Sequence, residues 1–128
     1  KIRDLIVNRG RSFIYSTAMP LPLVAHSIAA IDEIKLNPSH RSSLYERISQ
    51  FAKGLSMPAD SPIFSIVLND EELAMSAAED LLEKGFHVIG IRPPTVPEKT
   101  SRLRITACAD QCRERTDELI SVLRSKYL

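Results

Sequence analysis

Residues 90–105, GIRPPTVPEKTSRLRI, decide how the second half of the chain folds. An apolar run ends at Arg92, three prolines follow within the next five residues, and a second alternating run contains Arg102 and Arg104. This pattern predicts two β-strands joined by a stiff loop. Because proline has no amide donor, we expect the loop to lie beside the sheet rather than within it.

The arginines around this loop predict a site for an acidic ligand. A guanidinium group presents a planar fork of donors that matches a carboxylate or a phosphate with two parallel hydrogen bonds. Arg92, Arg102 and Arg104 are the candidates. The alternative, that all three are solvated strand residues, stays open on spacing alone.

Length and composition describe an ordinary globular chain. Its 128 residues correspond to about one domain with a core of its own. Hydrophobic residues make up 44% and charged residues 26%, and the net charge of +1 argues against nucleic acid or a membrane surface as partner. No apolar run reaches transmembrane length and no signal-peptide pattern opens the chain, so we expect a cytoplasmic protein.

The first half of the chain predicts two helices after a short approach segment. Residues 1–7 carry an apolar pattern that ends at a breaker, and residues 12–18 are rich in aromatic, β-branched and hydroxyl side chains, which predicts an extended segment. Helical spacing predicts one helix over residues 21–35 and a second through residues 44–55, with Gly54 near its end.

The second half predicts the order β-α-β-β-α. A strand over residues 63–68 is apolar enough to be covered on both faces, Asn69 caps the helix that follows, and Gly85 ends that helix in a left-handed conformation. Strands over 86–91 and 103–107 and a last helix complete the order. With the usual crossover, the third strand lies between the other two and antiparallel to both. The fold class is therefore α/β (α+β), with a small three-stranded antiparallel sheet covered by helices and preceded by two helices.

Catalytic and metal-binding motifs are missing from the sequence. There is no glycine-rich phosphate loop and no metalloprotease or hydrolase motif. Cys108 and Cys112 lack the further ligands of a zinc site, and we expect them to be reduced. His26, His40 and His87 are far apart in sequence, and we interpret them as ordinary residues.

Two linked stretches carry a resemblance to a known family. RSFIYSTAMPLPLVAHSIAAI at residues 11–31 and GFHVIGIRPPTVPEKTSRLRIT at residues 85–106 resemble the C-terminal part of the pyridoxal-phosphate-dependent α-oxoamine synthases. The resemblance implies a fold-type I homodimer in which a large domain holds the cofactor on a lysine and a small C-terminal α/β domain closes over the site. Residues 1–20 are then the approach from the large domain, and residues 21–128 form the small domain.

The implied activity is a decarboxylative condensation of an amino acid with an acyl thioester, with pyridoxal 5'-phosphate (PLP) as cofactor. The RPPTVP run favours the biotin-pathway branch, which joins L-alanine to pimeloyl-CoA or a pimeloyl carrier protein. The branches that form 2-amino-3-oxobutyrate (glycine C-acetyltransferase) or 5-aminolevulinate stay open. So does a free-standing, non-catalytic βαββα module that binds an acidic metabolite.

The resemblance also assigns roles to individual residues. Arg104 matches the arginine that binds the amino-acid carboxylate, while Arg92 and Thr95 match positions at the substrate entrance. Ser16 and Thr17 match a pair whose threonine reaches the cofactor phosphate of the neighbouring subunit.

Three departures from the family pattern qualify these roles. The family's cofactor lysine sits in a serine-lysine segment upstream, and no lysine of this chain matches that segment, so the chain alone is expected to be inactive. Lys99 replaces the usual glycine in the turn before the RLR strand, at a conformational cost if that turn needs positive φ. The segment ACADQC after the strand also differs from the family pattern.

Overall fold

A computed structural model describes residues 1–128 and divides them into two compact units, Lys1–Asn37 and Pro38–Leu128. The predicted boundary after residue 20 stays a prediction about the whole protein, whereas the compact units of this chain divide after Asn37. None of the helices is both long and apolar enough to cross a membrane.

The regular elements of the first unit are all helices, with no buried residue in any of them. It contains α1 (Ile2–Arg9), α2 (Arg11–Ile14) and α3 (Leu21–Leu36). A proline in the first turn of α3 and the Asn37-Pro38 breaker set its ends close to the predicted bounds.

The prediction of an extended segment over residues 12–18 is wrong in its first half. The amides of Phe13 and Ile14 donate to the carbonyl of Gly10 and close the helical turn α2. Local hydrogen bonding therefore outweighs the strand propensity of the aromatic and β-branched side chains. Residues 16–20, which follow, form neither helix nor strand.

The second unit holds the sheet and three helices. Its elements are α4 (Ser39–Leu55), β1 (Ile63–Asn69), α5 (Glu71–Glu83), β2 (Ile89–Ile91), β3 (Ser101–Thr106) and α6 (Arg113–Tyr127). The sheet order is β1-β3-β2 and both pairings are antiparallel, which confirms the predicted topology. The two predicted helices before the sheet are α3 and α4, and the short α1 and α2 precede them.

Only one face of the sheet is covered in this chain. Phe64 and Ile66 of β1 and Leu103 and Ile105 of β3 point into the core between the sheet and the helices. On the other face, Ile63 and Val67 are 42% and 48% exposed, so the prediction that β1 is covered on both faces is wrong here. The period of two along a strand places alternate residues on this outer face.

Gly54 has a packing role rather than a capping role. Gly54 lies near the end of α4 as predicted, and Ser56, with φ 55°, ends the helix in a left-handed conformation. A Cβ added at Gly54 would lie 2.6 Å from Cγ2 of Ile120, a buried residue of α6. Gly54 therefore lets α4 and α6 approach closely.

The start of α5 also differs from the prediction by one residue. Asp70, not Asn69, is the N-cap, because its Oδ1 accepts a hydrogen bond from the amide of Leu73 at 2.7 Å. Asn69 has φ 65° and ends β1. At the other end Gly85 has φ 79°, as predicted for the residue that closes α5.

Strand β2 is shorter than the predicted run over residues 86–91. The amides of Phe86 and Val88 donate to Leu81 and Phe86 carbonyls in a turn, so these residues do not enter the sheet ladder. Phe86 and Val88 are nevertheless buried in the core, which explains the apolar pattern that predicted a longer strand.

Asp80 of α5 joins this helix to the end of α6. Its carboxylate accepts hydrogen bonds from Lys84, from Lys126 Nζ at 2.9 Å and from the Tyr127 hydroxyl at 3.0 Å. The hydrogen bond from Lys84, with those from Lys126 and Tyr127, holds the pKa of Asp80 well below its ordinary value. Desolvation and the bond to Asp80 raise the pKa of Tyr127.

Candidate functional site

Arg104 lies at the centre of the exposed face of the sheet. In the antiparallel register it stands opposite Ser65 of β1 and Ile89 of β2, whose side chains share its face. The Arg104 side chain is exposed and makes no hydrogen bond or ion pair within the chain. Its whole donor fork is therefore available to a ligand.

Arg102 shares this face but is held in place by the protein. It stands opposite Val67 and Ile91, it is half-buried, and its Nε donates to the carbonyl of Thr100 at 3.0 Å. The strand pattern alone placed Arg102 and Arg104 on one face without separating them. Their surroundings do separate them, because only Arg104 is without a partner in the chain.

Arg92 ends the apolar run as predicted, and it is paired. Its Nη1 lies 2.5 Å from Oε1 of Glu71, the first residue of α5. Thr95 is exposed, and its amide donates to the Arg92 carbonyl at 3.1 Å to form the first turn of the proline-rich loop. No sequence pattern identified Glu71, which is 21 residues away from Arg92 and meets it only through the packing of α5 on the sheet.

The turn at the far end of the loop does need a positive φ, the condition under which Lys99 carries a conformational cost. Lys99 has φ 60°, so a lysine occupies a left-handed position where glycine is the favoured residue. The next residue, Thr100, donates from its hydroxyl to the Pro97 carbonyl at 2.8 Å and accepts from Arg102. The left-handed turn thus leads directly into the residue that braces Arg102.

Ser16 and Thr17 lie in the irregular segment between α2 and α3 of the first unit. The Ser16 hydroxyl and amide both donate to the Phe13 carbonyl, at 3.0 and 3.3 Å. Thr17 is exposed, and neither its hydroxyl nor its amide has a partner. Of the two predicted residues, Thr17 therefore has free donors for an anion, whereas Ser16 has used its own locally.

A cavity of about 400 Å³, whose lining includes Ile89 and Arg104, opens where β2 no longer pairs with β3. Its lining includes both cysteines, His87 and Arg115. The cysteines are free, and the Cys112 thiol donates to Glu114 at 2.7 Å, which lowers the pKa of Glu114. No three metal-ligating side chains come together anywhere in residues 1–128.

The chain belongs to the family of class I and II aminotransferases, whose family model matches residues 1–123. Several relatives within this broad family carry the name of one particular enzyme. It is 42% identical over 125 residues to 8-amino-7-oxononanoate synthase of Arabidopsis thaliana, covering 98% of this chain and 26% of that protein. It is 37% identical over 129 residues to the 8-amino-7-oxononanoate synthase of Anaeromyxobacter dehalogenans, covering 96% and 32%. The resemblance drawn from the two sequence stretches is confirmed.

Solved structures agree on the fold. A serine palmitoyltransferase of Sphingomonas wittichii superposes with a TM-score of 0.85 at 23% identity, over 96% of this chain and 33% of that one. An 8-amino-7-oxononanoate synthase from Francisella tularensis superposes with a TM-score of 0.78 at 22% identity, over 99% and 40%. These matches confirm the predicted fold class. The chain spans roughly a third of the length of its relatives.

Proposed function

We propose that the protein to which this chain belongs is a PLP-dependent acyltransferase. It joins the pimeloyl group of pimeloyl-CoA, or of a pimeloyl carrier protein, to L-alanine, with loss of CO2 and release of the free thiol of CoA or of the carrier, to give 8-amino-7-oxononanoate. The observation that carries the proposal is the unpartnered Arg104 at the centre of the outer sheet face. Relatives named 8-amino-7-oxononanoate synthase, up to 42% identical over nearly all of this chain, support the choice of substrates.

Arg104 binds the amino-acid carboxylate in this proposal. The fork of the guanidinium can hold a carboxylate in a fixed plane, and this orientation matters because the carbon bond to the carboxylate breaks in the reaction. Ser65 and Ile89 flank Arg104 with one small polar and one apolar side chain. The apolar Ile89 side chain lowers the local polarity on one side of the ion pair and strengthens it.

The donors of this chain fit part of the cofactor. Thr17 has a free hydroxyl and a free amide, which suit a phosphate oxygen, and the resemblance assigns this contact to the neighbouring subunit of a homodimer. When bound, PLP supplies an electron sink for the carbon that loses CO2. The lysine that holds PLP belongs to the domain upstream of this chain. We therefore propose that this chain contributes binding groups and has no activity alone.

Arg92 and Thr95 form the substrate entrance in this arrangement. Both are exposed at the start of the proline-rich loop, and both lie beyond the end of β2. An acyl thioester carries negative charge on its carrier and, for a pimeloyl chain, on its far carboxylate. A guanidinium at the entrance favours such a substrate.

Product analysis of the whole protein tests the proposal. The protein is incubated with PLP, one of L-alanine, glycine and L-serine, and one of pimeloyl-, acetyl-, succinyl- and palmitoyl-CoA, and products are identified by mass. We expect 8-amino-7-oxononanoate from L-alanine and pimeloyl-CoA as the main product. A preference for glycine with acetyl- or succinyl-CoA would show that the protein belongs to one of the sister branches of the α-oxoamine synthases. Absence of any condensation product would overturn the proposal.

A further inference from the structure

We infer that Glu71 is a positioning residue that holds the Arg92 guanidinium at the substrate entrance. This inference rests on the proposed function. Its basis is the ion pair of 2.5 Å between Glu71 Oε1 and Arg92 Nη1, which joins the first residue of α5 to the residue after β2. Neither the sequence pattern nor the resemblance assigns a role to Glu71.

Glu71 starts from a fixed backbone. Asp70 caps α5 immediately before it through the bond to the Leu73 amide, and α5 packs against all three strands of the sheet. Gly90 allows this close packing, because a Cβ there would lie 2.8 Å from the backbone oxygen of Ala74. The carboxylate of Glu71 therefore projects from a rigid element toward the end of β2.

The orientation of the Arg92 guanidinium depends on its contact with Glu71. It follows the last residue of β2 and precedes the proline-rich loop, and its carbonyl accepts the Thr95 amide in the first turn. Its side chain has four rotatable bonds, and Glu71 is the only charged partner that holds it. Without that partner the guanidinium loses its orientation.

Only one donor of the fork is used by Glu71. Nη1 binds the carboxylate, while Nη2 and Nε make no bond within the chain. The pair thus orients the guanidinium and leaves donors for a substrate anion. Because Arg92 and Glu71 are 56% and 45% exposed, the energetic effect of the pair is modest.

The expected consequence is specific to one substrate. Glu71→Gln in the whole protein keeps the shape of the side chain and removes its charge. We expect a rise of about two- to fivefold in the KM for pimeloyl-CoA, with the KM for L-alanine and kcat unchanged. A merely structural role would lower thermal stability without separating the two KM values.

Glu72 provides a matched control. It is the next residue in the first turn of α5, it is exposed, and it has no partner in the chain. Glu72→Gln removes the same charge from the same helix end, so any effect through the helix dipole or net charge appears equally in both variants. We expect Glu72→Gln to leave both KM values unchanged.

A double-mutant cycle with Arg92→Lys completes the test. If Glu71 acts through Arg92, Glu71→Gln adds little to the KM increase that Arg92→Lys causes by itself. Additive effects, or equal effects of Glu71→Gln and Glu72→Gln, would overturn the inference while the wild-type activity stands. Absence of condensation activity in the wild type would overturn the proposed function instead, so the two failures are distinguishable.

Discussion

Replacing Arg104 in the whole protein removes the group to which we assign the amino-acid carboxylate. Arg104→Ala leaves that carboxylate without its partner, and Arg104→Lys keeps the charge but loses the two-donor fork. The lost contact of about 2–4 kcal/mol corresponds to roughly a thirty- to thousandfold decrease in kcat/KM for L-alanine. We expect the lysine variant to be intermediate and the KM for pimeloyl-CoA to change little.

Arg102→Ala is the matched control for Arg104, because the two residues are two positions apart on β3 and share one face of the sheet. Steady-state kinetics with both substrates varied separates the two residues. Arg104 is exposed and unbonded, so its replacement should shift the unfolding free energy by less than about 0.5 kcal/mol. An L-alanine defect in Arg102→Ala with none in Arg104→Ala would show that the braced arginine, not the free one, binds the carboxylate.

Three further predictions concern the cofactor contact, the loop and the helix pair. Thr17→Val should weaken PLP retention by about 1–3 kcal/mol. In mixed dimers with a subunit that lacks the cofactor lysine, the loss should appear in the active site of the partner subunit. A loss confined to the mutated subunit's own site would reject the contact across the interface. Lys99→Gly should raise the unfolding free energy by about 0.5–1 kcal/mol because φ is 60°, whereas Lys53→Gly within α4 should lower it by about 1 kcal/mol. The pKa of Asp80 is lower in the folded protein than in the unfolded chain, where it is about 4. The stability that Asp80 contributes is therefore complete above about pH 4 and is lost as the pH falls below this value. Urea unfolding across this range should show a smaller loss of unfolding free energy for Asp80→Asn than for wild type.

The topology was predictable because each element has its own local signal. Helical apolar spacing, the proline-rich loop and Gly85 fixed the order of elements, and the crossover rule then placed β3 between β1 and β2. Boundaries were less predictable where neighbouring polar residues compete for one role. Asn69 and Asp70 can both cap a helix, and only the backbone at Asn69, with φ 65°, excludes it.

The candidate site was predictable in its strand residues and not in its long-range contacts. A period of two placed Arg102 and Arg104 on one face, but their different surroundings depend on the conformation at Thr100 and on the register with β1. Glu71 could not be found from the sequence, because its contact with Arg92 arises from helix packing rather than from spacing. The proposed function came from the resemblance, since no conventional catalytic motif is present.

The most direct test of the proposed function compares two products of the whole protein in the presence of PLP. Carboxyl-labelled L-alanine and pimeloyl-CoA are supplied together, and labelled CO2 and free CoA are measured over time. We predict that the two appear in equal amounts and that both are lost when either substrate is omitted. With a 2-oxo acid added as acceptor for the amino group, conversion of L-alanine to labelled pyruvate, with no labelled CO2 and no free CoA, would contradict the proposal and indicate an aminotransferase.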